Sequence, residues 1–173
     1  MGLKMELSRT ERLLLANQFK ILGLLEPDES DYYDQAKEIL ENGYEAHYDG
    51  LFQNIDEDTL TAEQCGEVTE ILNMFRDINH GLSKLDDKSD IWMHKATFDG
   101  FDFNDEEEVR LGQYAEFFCE KLDRFDDIRP TSYNSHALRL DDYREMLARM
   151  PEIKGTDAMT KEQIIAVVGK KPE

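Results

Sequence analysis

The sequence predicts an all-α fold, an irregular bundle of about six helices joined by short loops and forming one domain over residues 1–173. Three observations carry this reading. Apolar residues recur three and four apart in one segment after another. Capping boxes of the form Ser/Thr-x-x-Glu/Gln stand at Ser8, Thr61 and Thr160. No segment alternates apolar and polar residues for long enough to make a strand.

The box Ser8-Arg9-Thr10-Glu11 opens the first helix, which runs to about Leu25 and is stopped by Pro27. Leu13, Leu14, Leu15, Phe19, Ile21, Leu22, Leu24 and Leu25 make it apolar nearly all round, which places it at the centre of the core. A second helix starts near Ser30, carries Tyr33, Ala36, Ile39, Leu40, Tyr44, His47 and Leu51, and has Gly43 and Gly50 as candidate breaks. Asp56 to Thr59 reads as a polar linker. It looks like the nucleophile loop of aspartate-based phosphatases, but the buried strand that such a loop requires is missing. After Thr61, the run Val68, Ile71, Leu72, Phe75, Ile78, Leu82 and Leu85 predicts a long amphipathic helix. Asp86 to Asp90 is an acidic loop, and Ile91, Trp92 and Met93 form a short apolar plug.

Asn104 with Glu107 predicts the cap of a fourth long helix, on which Val109, Leu111, Tyr114, Ala115, Phe118 and Leu122 continue to about Arg124. Arg129 to His136 is loop, followed by a fifth helix with Leu140, Tyr143, Met146, Leu147 and Met150, ended by Pro151. The box at Thr160 starts the last helix, and Gly169 is its C-terminal cap.

Composition narrows the function. The chain has 39 acidic against 20 basic residues, a formal charge of −19, which repels phosphate and leaves no basic stripe for counterion release, so no direct nucleic-acid contact is expected. No apolar run approaches the ~20 residues of a membrane span, and Glu6 stands where a myristoylation signal starting at Gly2 needs Ser or Thr. A cytoplasmic location without membrane contact follows as an expectation. Cys65 and Cys119 lie within apolar helical patterns and read as reduced core residues.

His47, His80, His94 and His136 are dispersed and none belongs to an HExxH pair, so no metal site is expected. The acidic run from Asp99 fails as a calcium loop, because its twelfth position is Arg110, or Gln113 if the loop starts at Asp102; it reads as a capping turn. No GxSxG, P-loop or GxGxxG occurs, and no cofactor is expected. Two polar clusters remain as candidate ligand contacts. Asn17 and Gln18 interrupt the most apolar helix, so Asn17 is expected within the core or lining a cavity, where a buried amide needs partners, and Asn134 with His136 precedes the fifth helix.

The runs Arg12-Leu13-Leu14-Leu15-Ala16-Asn17-Gln18-Phe19-Lys20, Leu40-Glu41-Asn42-Gly43-Tyr44, Phe98-Asp99-Gly100-Phe101-Asp102 and Tyr114-Ala115-Glu116-Phe117 resemble the YfbU family. So do Asn134-Ser135-His136 and Tyr143-Arg144-Glu145-Met146-Leu147, in the same order, and the likeness extends from about Glu6 to Ile165. The resemblance implies a bacterial all-helical domain of unassigned activity, found in some members beside a helix-turn-helix segment. With few residues ahead of Ser8, a DNA reader is expected here only as a separate partner. Glu116 departs from the arginine usual after Tyr-Ala in the family.

The expected function is a non-enzymatic regulatory or protein-interaction module, homo-oligomeric through an apolar helix face, with a small-ligand pocket near Asn17, Gln18, Tyr44, Asn134 and His136. The rival reading is a small hydrolase-type enzyme that uses His136 and dispersed carboxylates.

Overall fold

A computed structural model describes residues 5–56, 58–152 and 157–171; Gly2, named above, and Glu57 of the Asp56 to Thr59 segment lie outside them. Among the described residues there are seven α-helices and no sheet. The chain divides into two compact units at Thr59, at the end of the segment read as a polar linker.

The N-terminal unit is a helical hairpin. Helix α1 (Arg9–Leu25) starts at the Ser8 capping box: the Glu11 N–H donates to Ser8 Oγ at 3.3 Å, and the Ser8 N–H donates to Glu11 Oε2 at 2.8 Å. Helix α2 (Ser30–Asn42) ends where Gly43 turns left-handed at φ +71°, a conformation that costs a residue with a Cβ about 1–2 kcal/mol. The Arg12 guanidinium reaches across the hairpin and donates to the Leu40 carbonyl at 3.0 Å. Helix α3 (Tyr48–Leu51) is one turn that Gly43 separates from α2, which raises the helix count from six to seven. Ala16, Leu40 and Tyr48 are buried here, with Leu15, Phe19, Ile39 and Leu51 packed around them.

This arrangement corrects the reading of α1 as the centre of the core. Only Ala16 of that helix is buried. One side of α1 packs on α2, while Leu13, Leu14, Ile21, Leu24 and Leu25 are exposed.

The C-terminal unit holds the main core. Helix α4 (Ala62–Ser83), entered through the Thr61 box, buries Val68, Ile71, Leu72, Phe75, Ile78 and Leu82 along one face, as the spacing predicts. Helix α5 (Glu106–Glu116) is capped by Asp105, whose Oδ1 accepts from the Glu107 and Glu108 N–H groups at 3.0 and 2.9 Å. Asn104 is therefore not the cap; its N–H and Nδ2 donate to Asp102 Oδ1 instead. Residues Phe117–Lys121 continue α5 as a π-helical turn rather than an α-helix to Arg124. Helices α6 (Leu140–Ala148) and α7 (Lys161–Val168) follow, the latter between the Thr160 box and Gly169. Cys119 is fully buried and Cys65 only half-buried, so the latter lies at the margin of the core; both are free thiols.

Between α4 and α5 the chain runs through Phe98 and Phe101, which meet Phe75 of α4 and Tyr143 of α6. Tyr143 has ring centroids 5.2 Å from Phe75 and 5.6 Å from Phe101, both edge-on. The Tyr143 hydroxyl donates to the Gly100 carbonyl at 2.8 Å, and burial holds this phenol protonated above the ordinary tyrosine range.

Glu108 of α5 is the one buried charged side chain among the described residues, at 3% exposure. Its carboxylate accepts from the Asp102 N–H at 2.8 Å, the Arg139 N–H at 2.8 and 3.1 Å, and the Leu140 N–H at 2.7 Å. Glu108 thus supplies the N-terminal cap that α6 lacks locally, and its charge meets the positive end of that helix. Replacing it with alanine leaves three inward N–H groups unpaired, and Glu108→Ala is expected to cost on the order of 3–5 kcal/mol in urea unfolding, with Glu108→Gln costing less. An unchanged unfolding midpoint for Glu108→Ala would contradict this role.

Candidate functional site

The sequence-predicted residues fall in different units: Asn17, Gln18 and Tyr44 in the N-terminal one, Asn134 and His136 in the C-terminal one. Asn17 and Gln18 are exposed on the outer side of α1, so of the two places expected for Asn17, within the core or lining a cavity, the first is excluded. Ala16 turns inward against α2, and the next residue, about 100° further round the helix, turns outward. Asn17 borders a hollow of about 200 Å³ with Arg9, Arg12, Leu13, Leu40 and Glu41. Tyr44 does not border it; it is exposed just after Gly43, and its N–H donates to the Ile39 carbonyl at 3.0 Å.

Asn17 sits within an apolar strip. Leu13, Leu14, Ile21, Leu24 and Leu25 are 62%, 60%, 50%, 76% and 70% exposed. At about 100° per residue they occupy one sector of the helix surface, opposite Leu15, Ala16 and Phe19. Isolated exposed leucines are ordinary, whereas these five lie together on one helix face.

In the C-terminal unit, Asn134 is half-buried and holds two loops together. Its Oδ1 accepts from the Phe103 N–H at 3.2 Å and the His136 N–H at 3.0 Å, while the Phe101 N–H donates to the Tyr133 carbonyl and the Ser135 N–H to the Phe101 carbonyl, both at 2.9 Å. The two strands of chain come so close at Gly100, where φ is +82°, that a Cβ there would lie 2.1 Å from the Tyr133 oxygen. His136 is exposed, with a left-handed backbone at φ +55°. Its imidazole has no carboxylate partner among the described residues, and the cap of α6 belongs to Glu108.

Asn134 also borders an open cleft of about 760 Å³ formed by the π-helical turn and the loop after it, with Phe103, Glu116, Phe117, Glu120 and Tyr133 around it. Phe117 is 48% exposed there. Glu120 is engaged by the Tyr133 hydroxyl at 3.0 Å and Arg129 Nε at 3.4 Å, so this carboxylate is part of the wall. A cavity beside Asp99, Arg139 and Tyr143 measures about 10 Å³, room for one water molecule. Among the described residues no group of three or more His, Cys, Asp or Glu side chains is placed to hold a metal ion.

Glu108 was missed in the sequence although a signal existed. It stands three, four and seven residues before Leu111, Gly112 and Ala115, all buried, so the helical period places it on the inward stripe.

The fold and these surfaces define an all-α protein with a buried, hydrogen-bonded carboxylate at Glu108 and an exposed apolar strip on α1. The chain belongs to the YfbU family: the YfbU domain model matches residues 5–169. It is 31% identical over 97 residues to a UPF0304 protein of Actinobacillus succinogenes, an overlap covering 56% of this chain and 58% of the relative. It is 33% identical over 100 residues to a UPF0304 protein of Mannheimia succiniciproducens, covering 57% and 58%. The chain thus spans a little over half the length of these relatives. No helix among the described residues is long and apolar enough to cross a membrane.

The hydrogen bonds separate Asn134 from His136 in their effect on stability. Asn134→Ala removes an acceptor from two backbone N–H groups and is expected to cost about 1–3 kcal/mol, whereas His136→Ala stays within about 0.5 kcal/mol of wild type. Chemical unfolding of the two variants checks this, and equal losses would show that His136 makes a stabilising contact of its own.

Proposed function

We propose that this protein is a non-enzymatic interaction module that self-associates through the outer face of α1. The observation that carries the reading is the strip Leu13, Leu14, Ile21, Leu24 and Leu25. Its exposed surface is equivalent to about three whole aliphatic side chains, and at ~1.5–3 kcal/mol for each one buried it offers about 5–9 kcal/mol per copy. Two such faces together meet the roughly 4–15 kcal/mol cost of association.

The rival acid–base reading needs His136 beside a carboxylate, and its exposed imidazole has none among the described residues, which favours the non-enzymatic reading. Small-ligand sensing at a pocket near Asn17, Tyr44 and His136 has a narrower base, since Tyr44 lies outside the hollow beside Asn17 and His136 belongs to the other unit.

Sedimentation velocity tests the proposal. The wild-type chain is expected to sediment as an oligomer that dissociates on dilution. Leu14→Lys combined with Leu24→Lys gives a monomer with an unchanged circular-dichroism spectrum, because both positions are exposed and contribute little to the fold. A wild-type chain that is monomeric at every concentration contradicts it.

A further inference from the structure

We propose that the partner of α1 is the same helix of a second copy lying parallel to it, with Asn17 facing Asn17 at the centre of the seam. This rests on the self-association reading above and specifies its geometry. Leu14, Asn17, Ile21 and Leu24 are spaced three, four and three residues apart, the spacing of the a and d positions of a two-stranded coil, and Leu13 and Leu25 flank them. The opposite side of the helix, Leu15, Ala16 and Phe19, is already committed to the hairpin. Helix α1 therefore accepts one further helix without giving up α2. The two strips together bury on the order of 1,000 Å², the area at which a specific interface becomes sustainable.

Asn17 identifies the occupant. It is the one polar residue from Leu14 to Leu24 along the seam, and its side chain carries no hydrogen bond among the described residues. An amide buried against aliphatic side chains leaves its donor and acceptor unpaired. Because it has both, an amide is its own complement, and a second copy supplies the matching group.

Asn17 also selects the direction of pairing. In an antiparallel pair with all apolar layers matched, Leu14 opposes Leu24 and Asn17 opposes Ile21, so two amides are stranded. In a parallel pair Leu14, Ile21 and Leu24 each meet their own counterpart and the two amides meet each other. The apolar area is the same in both, and only the amide distinguishes them. Lys20, the charged residue among the flanking positions, then runs beside the partner's Leu25, where its aliphatic stem packs and its ammonium group remains in water.

Disulfide trapping in the full chain tests the geometry. In a Cys65→Ser background, with Cys119 buried in the core, Leu14→Cys is expected to oxidise mostly to a 14–14 linked dimer that reductant reverses. A mixture of Leu14→Cys and Leu24→Cys chains should give no 14–24 link, because parallel helices hold these positions about 15 Å apart. Asn17→Leu added to that mixture should let 14–24 links form beside 14–14, since nothing but the amide separates the two directions of pairing. A 14–24 link in place of 14–14 overturns the parallel register and leaves self-association standing. A dimer in sedimentation that forms neither link overturns α1 as the seam, and a monomer at all concentrations overturns both this inference and the reading on which it rests.

Discussion

A carboxylate taken out of water costs several kcal/mol unless donors replace the lost solvent. At Glu108 the replacement comes from backbone N–H groups of two loops that are distant in sequence, one before α5 and one before α6. Satisfying that charge fixes where α6 begins, because the Arg139 and Leu140 N–H groups are the donors a helix start leaves unpaired. Once α6 is placed, Tyr143 reaches Phe75, Phe101 and the Gly100 carbonyl, and the aromatic centre of the C-terminal unit closes. Asn134 and Gly100 then let the two loops run in contact. The loops before α5 and α6 are thus tied to each other by hydrogen bonds to one buried acid and one half-buried amide.

The N-terminal unit is built on the opposite economy. Its small core of Ala16, Leu40 and Tyr48 is closed by a hairpin whose first helix has apolar residues on both sides. A two-helix layer covers only one side of each member, so α1 retains a strip of leucines and one isoleucine facing out. The C-terminal unit hydrogen-bonds its buried carboxylate internally, while the N-terminal unit leaves the strip on α1 exposed, and this contrast directs the functional reading to α1.

Local chemistry was readable in the sequence wherever it is decided by residues a few positions apart. The boxes at Ser8, Thr61 and Thr160 form as written, Gly43 and Gly169 end helices, and the spacing along α4 names its buried face. Asn104 and Asp105 are adjacent and equally able to cap, so the start of α5 shifted by one residue. The burial of α1 was misread because periodicity reports which sides of a helix are apolar and not how many neighbours cover them. The π-helical turn at Phe117–Lys121 and the capping of α6 by Glu108 depend on packing between distant segments, and only the inward position of Glu108 left a trace in the sequence. Asn17 interrupts an apolar run that the sequence shows plainly, but which way that run faces depends on the neighbours of α1.

Hydrogen–deuterium exchange of the full chain over a dilution series tests the central contrast most directly. The account predicts that amides of α1 lose protection as the chain is diluted, while the Arg139 and Leu140 amides bound by Glu108 keep theirs. Protection of α1 that is independent of concentration, or loss at Arg139 and Leu140 in step with α1, would contradict it.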